Sequence, residues 1–173
     1  MKLFEVDLGK IKRAKIQPDP FPHFIIRDFF DPDHLKTVRA DFPRKKIRDS
    51  KVTSKSRYTI THESENFKGL MDQSLVWRNF YEQMRSSEFL EIIKSKYLET
   101  DNFAGIENFS SIDFSPQMDI TFARSGYKRG IHLDRGFHFF NSFIYLNGHE
   151  EFGGTGGELQ FHKIENQGDS YDK

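Results

Sequence analysis

Apolar positions along this chain change period near residue 108, from helical spacing before it to strand alternation after it. From Lys68 to Leu98, Leu70, Trp77, Tyr81 and Met84 share one helical face. Phe89, Ile93 and Tyr97 continue it after Ser86-Ser87, where a hydroxyl can cap a second helix. A stripe of this kind is core packing, not a cofactor box. Asp31 is placed as the N-cap of a shorter helix with Pro32 at its first position; Leu35, Val38 and Phe42 follow at i, i+3 and i+7 until Pro43 stops the pattern near Asp41. Ahead of it, Pro18, Pro20 and Pro22 punctuate the chain, and the β-branched and aromatic run His23 to Phe30 predicts a strand.

Beyond Asn108, Met118 to Arg124 alternates large apolar with smaller or polar residues and ends in a Ser125-Gly126 turn. In Phe137 to Asn147, Phe139, Phe143 and Tyr145 fall on one side and Phe140, Ile144 and Leu146 on the other, which predicts a strand buried between two layers. Gly153-Gly154-Thr155-Gly156-Gly157 then turns into a strand over Glu158 to His162. The fold class is α+β in a single domain, 1–173, with a strand and helix buttress over 1–107 and a β-rich core over 108–173.

Composition narrows the classes. With 26 Lys+Arg against 26 Asp+Glu the net charge is zero, so no global field draws the chain to nucleic acid or to an anionic membrane, and neither is expected as a partner. Nineteen Phe residues supply rings enough for a packed core. The absence of Cys excludes disulfides, thiolate metal sites and a Cys nucleophile. No secretory leader and no membrane-length apolar run is present in the sequence, so a soluble cytoplasmic protein is the expectation.

Charge is uneven locally. Arg44 to Arg57 carries seven basic residues against the single acid Asp49, a local net charge of +6, either a solvated loop or an anion-binding lip. The glycine cluster 153–157 is a turn and no phosphate loop, because Lys-Ser/Thr does not follow it and Glu158 would repel a phosphate. The informative stretch is Gly126 to Arg135. In an extended segment His132 and Asp134 lie two apart, on one face, and can grip one ion through an imidazole nitrogen and a carboxylate oxygen. His23, His34, His62 and His149 have no partner at ligand spacing and are read as surface or turn residues.

The run Asp119-Ile120-Thr121-Phe122, Gly126, His132-Leu133-Asp134-Arg135, Phe143 to Asn147 and Gly156-Gly157-Glu158-Leu159 resembles the first half of the jelly-roll core of the Fe(II)- and 2-oxoglutarate-dependent dioxygenases, the prolyl-4-hydroxylase-like branch in particular. Pro20 to Phe29 followed by a helix resembles the opening of those proteins, so the likeness spans roughly residues 20 to 162. It implies a double-stranded β-helix (jelly-roll, cupin-like) core, with His132 and Asp134 holding Fe(II). It also implies 2-oxoglutarate as cosubstrate and hydroxylation of a peptidyl or small-molecule substrate.

The chain departs from that pattern in two places. Phe122 and Ala123 stand where family members often carry an aromatic hydroxyl that reaches the cosubstrate. The 58 residues from Pro116 to Lys173 hold about four strands, against about eight in a complete jelly roll, so the core is expected to be incomplete and the distal His absent. His162 and His138 are the fallback third ligands, the latter giving the cupin-like spacing His-x-Asp-x3-His. No residue is assigned to 2-oxoglutarate. The expectation is a dioxygenase, in a truncated and weakly active or inactive form. The alternatives are a non-catalytic jelly-roll module that binds a partner or self-associates through an open sheet edge, and a cupin-like metal-dependent binder of small molecules.

Overall fold

The computed structural model describes residues 3, 5–48, 52–54, 56–100, 108–124, 126–128 and 139–147. Their architecture is α+β, six α-helices, a short 3₁₀ helix at Phe109–Ser111 and a three-stranded antiparallel sheet in the order β1-β2-β3. The helices are α1 (Leu8–Arg13), α2 (Pro32–Ala40), α3 (Arg44–Arg48), α4 (Glu65–Gln73), α5 (Leu75–Met84) and α6 (Ser87–Leu98). The strands are β1 (Val52–Ser54), β2 (Arg57–Ile60) and β3 (Ile120–Ala123).

Helix starts are set by side-chain oxygens. The Asp31 carboxylate accepts from the Asp33 N–H at 3.0 Å, with Pro32 opening α2 as its sequence predicts. Ser64, Ser74 and Ser86 begin α4, α5 and α6. Each hydroxyl accepts from the N–H three residues on, at Phe67 (3.1 Å), Trp77 (3.0 Å) and Phe89 (3.2 Å). All three donating residues are buried aromatics, so each cap also aims the first large ring of its helix into the core. The stripe read from Lys68 to Leu98 therefore lies on three helices, because Ser74 interrupts it as well as Ser86.

Two apolar clusters result. The larger joins Val38 of α2, Ile47 of α3, Ile60, Ile120, Leu70 and Trp77; the smaller joins Ile11 of α1 to Phe89, Ile92 and Ile93 of α6. Lys96, buried on α6, ties α1 to it by donating to the Ala14 carbonyl at 2.9 Å while pairing with Glu99.

Three expectations are corrected. His23 to Phe30 is no strand: only an isolated Gln17–His23 bridge forms, and Asp28 at φ 51° turns the chain. That turn lets Phe24 and Ile26 reach the smaller cluster and Phe30 the larger. Arg44 to Arg57 is not simply a loop, since it holds α3, β1 and the first residue of β2; Ile47, 1% exposed, anchors its helix in the core. Residues 139–147 form no strand among the described residues and are not covered on both sides. Phe140, Ile144 and Leu146 pack inward as one set, whereas Phe139, Phe143 and Tyr145 are exposed. The burial that keeps Tyr145 partly dry still pushes its phenol pKa up.

Within 108–173, β3 is the one strand among the described residues, and a jelly roll is not seen there. No described helix is long and apolar enough to cross a membrane.

Candidate functional site

The sequence places its chemistry just beyond β3, and β3 forms where the alternation predicts it. Its ladder with β2 pairs Ile60 with Ile120, Thr59 with Thr121, Tyr58 with Phe122 and Arg57 with Ala123. Alternation puts Ile60 and Ile120 on the face that meets Ile47 and the helical core. Thr59, Thr121 and Arg57 lie on the opposite face. There the Thr59 and Thr121 hydroxyls meet at 3.3 Å, a polar pair that holds the register.

At the far end of the ladder, the Arg124 N–H donates to the Ser56 carbonyl at 2.8 Å, adding one rung past β3. The chain then turns: the Tyr127 N–H donates to the Arg124 carbonyl at 3.1 Å, and Gly126 sits between them at φ 82°. Positive φ is a conformation that glycine adopts without steric cost. The turn delivers Tyr127 to Arg57. The Arg57 guanidinium donates to the phenol oxygen at 2.9 Å and lies 5.7 Å from the ring centroid. On the other face Arg124 stacks 4.8 Å over the Tyr58 ring. Two arginine–tyrosine pairs thus bracket the end of the sheet, five residues ahead of His132.

His132, Asp134, His138, His149 and His162 lie outside the described residues, as do the glycine cluster 153–157 and the strand read over 158–162. The remaining histidines are dispersed. His23 Nδ1 bonds the Phe21 carbonyl at 2.9 Å within its own turn, and His34 sits on α2. His62 follows β2 in a turn, as its sequence suggests, but its ring is not at the surface. It packs between Phe67 (5.2 Å) and Tyr81 (5.9 Å), its Nδ1 buried with no hydrogen-bond partner, its Nε2 3.7 Å from the Glu63 carboxylate. Its backbone N–H donates to Asp119 Oδ1 at 2.8 Å, fixing the start of β3. Among the described residues no three His, Asp or Glu side chains converge on a point where an ion could sit.

An open cleft of about 460 Å³ lies between Ile16, Pro18, Pro20, Phe21 and Pro22 on one side and Glu99 and Thr100 on the other. Its one titratable wall, Glu99, is already bound to Lys96, so it assembles no reactive set.

The arginine–tyrosine pairs escaped the sequence reading. Arg57 ended a basic run read as a unit, and Tyr127 entered only as a residue of the motif; the signal available was a Tyr directly after a turn glycine. Comparison with known proteins found no match among family models, curated proteins or solved structures.

Proposed function

We propose that this chain is an Fe(II)- and 2-oxoglutarate-dependent dioxygenase, or part of one, built on a jelly-roll core over 108–173 that includes β3 and binds the metal through His132 and Asp134. What supports the reading is that the strand and turn expected from the alternation, β3 and the turn at Gly126, form shortly ahead of His132-Leu133-Asp134 in the sequence. One neutral nitrogen and one anionic oxygen suit Fe(II), and two residues apart in an extended segment they share a face. When bound, Fe(II) with 2-oxoglutarate supplies oxidative decarboxylation coupled to C–H hydroxylation. The described residues contribute the platform: a ladder anchored in the helical core by Ile60 and Ile120, a hydroxyl-lined opposite face, and a fixed turn that sets where the metal-bearing segment starts.

Fe(II) titration of the full chain under anaerobic conditions, with succinate release from 2-oxoglutarate as a second readout, tests the proposal. His132→Ala or Asp134→Ala lowers Fe(II) affinity about tenfold or more on this reading. His138→Ala and His162→Ala identify which histidine, if either, is the third ligand. Fe(II) binding unchanged in both the His132 and Asp134 variants overturns the assignment.

The second reading, a non-catalytic binding module, is favoured by one observation: Phe143 and Tyr145 are 60% and 61% exposed on the outward side of 139–147. It is the reading to adopt if the chain takes up no metal.

A further inference from the structure

We infer that the exposed side of α3 docks an acidic segment of a partner protein, an extended stretch with carboxylates at alternate positions. The inference stands on α3 and is independent of the dioxygenase reading.

Apart from Ile47, every residue of α3 is a cation: Arg44, Lys45, Lys46 and Arg48. Ile47 is 1% exposed and locks the helix to Ile60, Ile120 and Leu70 in the larger cluster, so the backbone that carries the cations is fixed. Arg44, Lys45 and Arg48 are exposed, while Lys46 leans toward α4, its Nζ 3.4 Å from where a Cβ on Gly69 would stand. None of the four cationic side chains has a hydrogen-bond or ion-pair partner among the described residues.

Helix electrostatics disfavours this arrangement. Arg44 and Arg48 are like charges one turn apart, Arg44 and Lys45 sit at the positive end of the helix dipole, and the first turn holds no acid. Elsewhere the chain relieves such charges: Lys68, Lys94 and Lys96 on α4 and α6 each face a glutamate three residues away. An anion from outside supplies the counter-charge that α3 lacks.

The exposed side of α3 also selects among anions. It offers no ring on which a base could stack and no apolar side chain to enter a lipid layer, Ile47 being turned inward. A protein segment therefore fits it better than single-stranded nucleic acid or a membrane. Arg44 and Arg48 lie about 6 Å apart along the helix axis. Alternate side chains of an extended peptide project to one side about 6.6–6.8 Å apart. An acid-x-acid stretch laid along α3 thus meets both guanidinium forks, with Lys45 beside them.

Anisotropy of a labelled, capped Ala-Glu-Ala-Glu-Ala peptide on the full chain tests this. The comparisons are Ala-Gln-Ala-Gln-Ala and Ala-Glu-Glu-Ala-Ala, the latter with the same charge in another spacing. The alternating acid is expected to bind about tenfold better than its amide and about threefold better than the adjacent pair, with both preferences shrinking at high salt. Arg44→Gln and Arg48→Gln each cost about threefold and together about tenfold, whereas Lys15→Gln, which removes an exposed cation elsewhere, leaves binding unchanged. Emission of buried Trp77 reports that each variant is folded; should the double variant unfold, the two single variants decide. No preference for acid over amide, equal binding of the two acidic spacings, or a loss matched by Lys15→Gln overturns the inference. So does tighter binding of DNA or of phosphatidylserine vesicles, which would assign this face to nucleic acid or to a membrane.

Discussion

Replacing Ser74 by Ala tests how the helical layer is joined, because one residue there serves three elements and its hydroxyl two of them. Ser74 ends α4, caps α5 by accepting from the Trp77 N–H at 3.0 Å, and donates to the Asp41 carboxylate just past α2. The Trp77 indole adds a bond of 2.8 Å to the Asp41 carbonyl, so α2 and α5 meet through this corner. Losing a Ser N-cap costs about 1 kcal/mol. Losing the bond to Asp41 adds about 1 kcal/mol, less than the ~1.5–3 kcal/mol of a bond to a charged group, because Asp41 is exposed and water takes the vacated lone pair. The expected loss is about 2 kcal/mol, or about 4–8 °C in Tm for a chain of this size. Trp77 is the single tryptophan and is 3% exposed, so urea unfolding followed by its fluorescence reports this corner directly. In an Asp41→Ala background the cost of Ser74→Ala should fall by about 1 kcal/mol, the coupling between the two. A loss under about 0.5 kcal/mol in the wild-type background would refute the reasoning, since neither cap nor cross-link would then be contributing.

Three further outcomes are expected. Gly126→Ala destabilises by about 1 kcal/mol in chemical denaturation, purely from its φ of 82°, because an added Cβ there meets nothing within 4 Å; a neutral result contradicts the turn. His62→Phe is neutral or stabilising by about 1 kcal/mol in the same assay, because it removes the buried unpartnered Nδ1 while the contact to exposed Glu63 contributes little; a loss above about 1 kcal/mol means the imidazole has a partner. Tyr97, packed against Phe109 and Phe140, has its phenol pKa raised by burial above the ordinary value of 10.0. The unfolded chain therefore releases that proton first. The stability it contributes is complete below pH 10 and drains as pH rises further, so Tyr97→Phe should flatten the alkaline limb of stability against pH; an identical limb in the variant would argue against it.

What the sequence made legible was what local chemistry decides. Asp31-Pro32, Ser86 and Gly126 each carry their own mechanism within four residues, and each sits where it was read. Ser74 was hidden because the apolar stripe runs through it unbroken, and only the hydroxyl-to-aromatic spacing it shares with Ser64 and Ser86 gives it away. His23 to Phe30 misled because ring-rich, β-branched residues serve a loop that feeds two clusters as well as they serve a strand; Asp28 at positive φ decides between them. Ile47, alone among cations, outweighed the charge around it because one buried side chain is enough to dock a short helix. Of the candidate site, the approach through β3 and the turn was legible. The Arg57–Tyr127 contact was not, because it depends on a strand pairing across 70 residues.

The segment 139–147 has a consequence for how the protein is made. Phe140 stacks with Phe24 and meets Tyr97 edge-on, Ile144 and Leu146 lie on the larger cluster, and the Arg39 side chain donates to the Leu146 carbonyl across 107 residues. At about 5–20 residues per second, the ribosome needs roughly 5–20 s to travel from Arg39 to its acceptor. By the end of that interval every helix the segment will cover has been synthesised, while α2 and the ring of Phe24 still wait with an unfilled apolar strip. A released chain truncated before residue 140 should therefore hold its helices yet remain a client for chaperones that bind exposed aromatic surface, and one that ends after residue 147 should not.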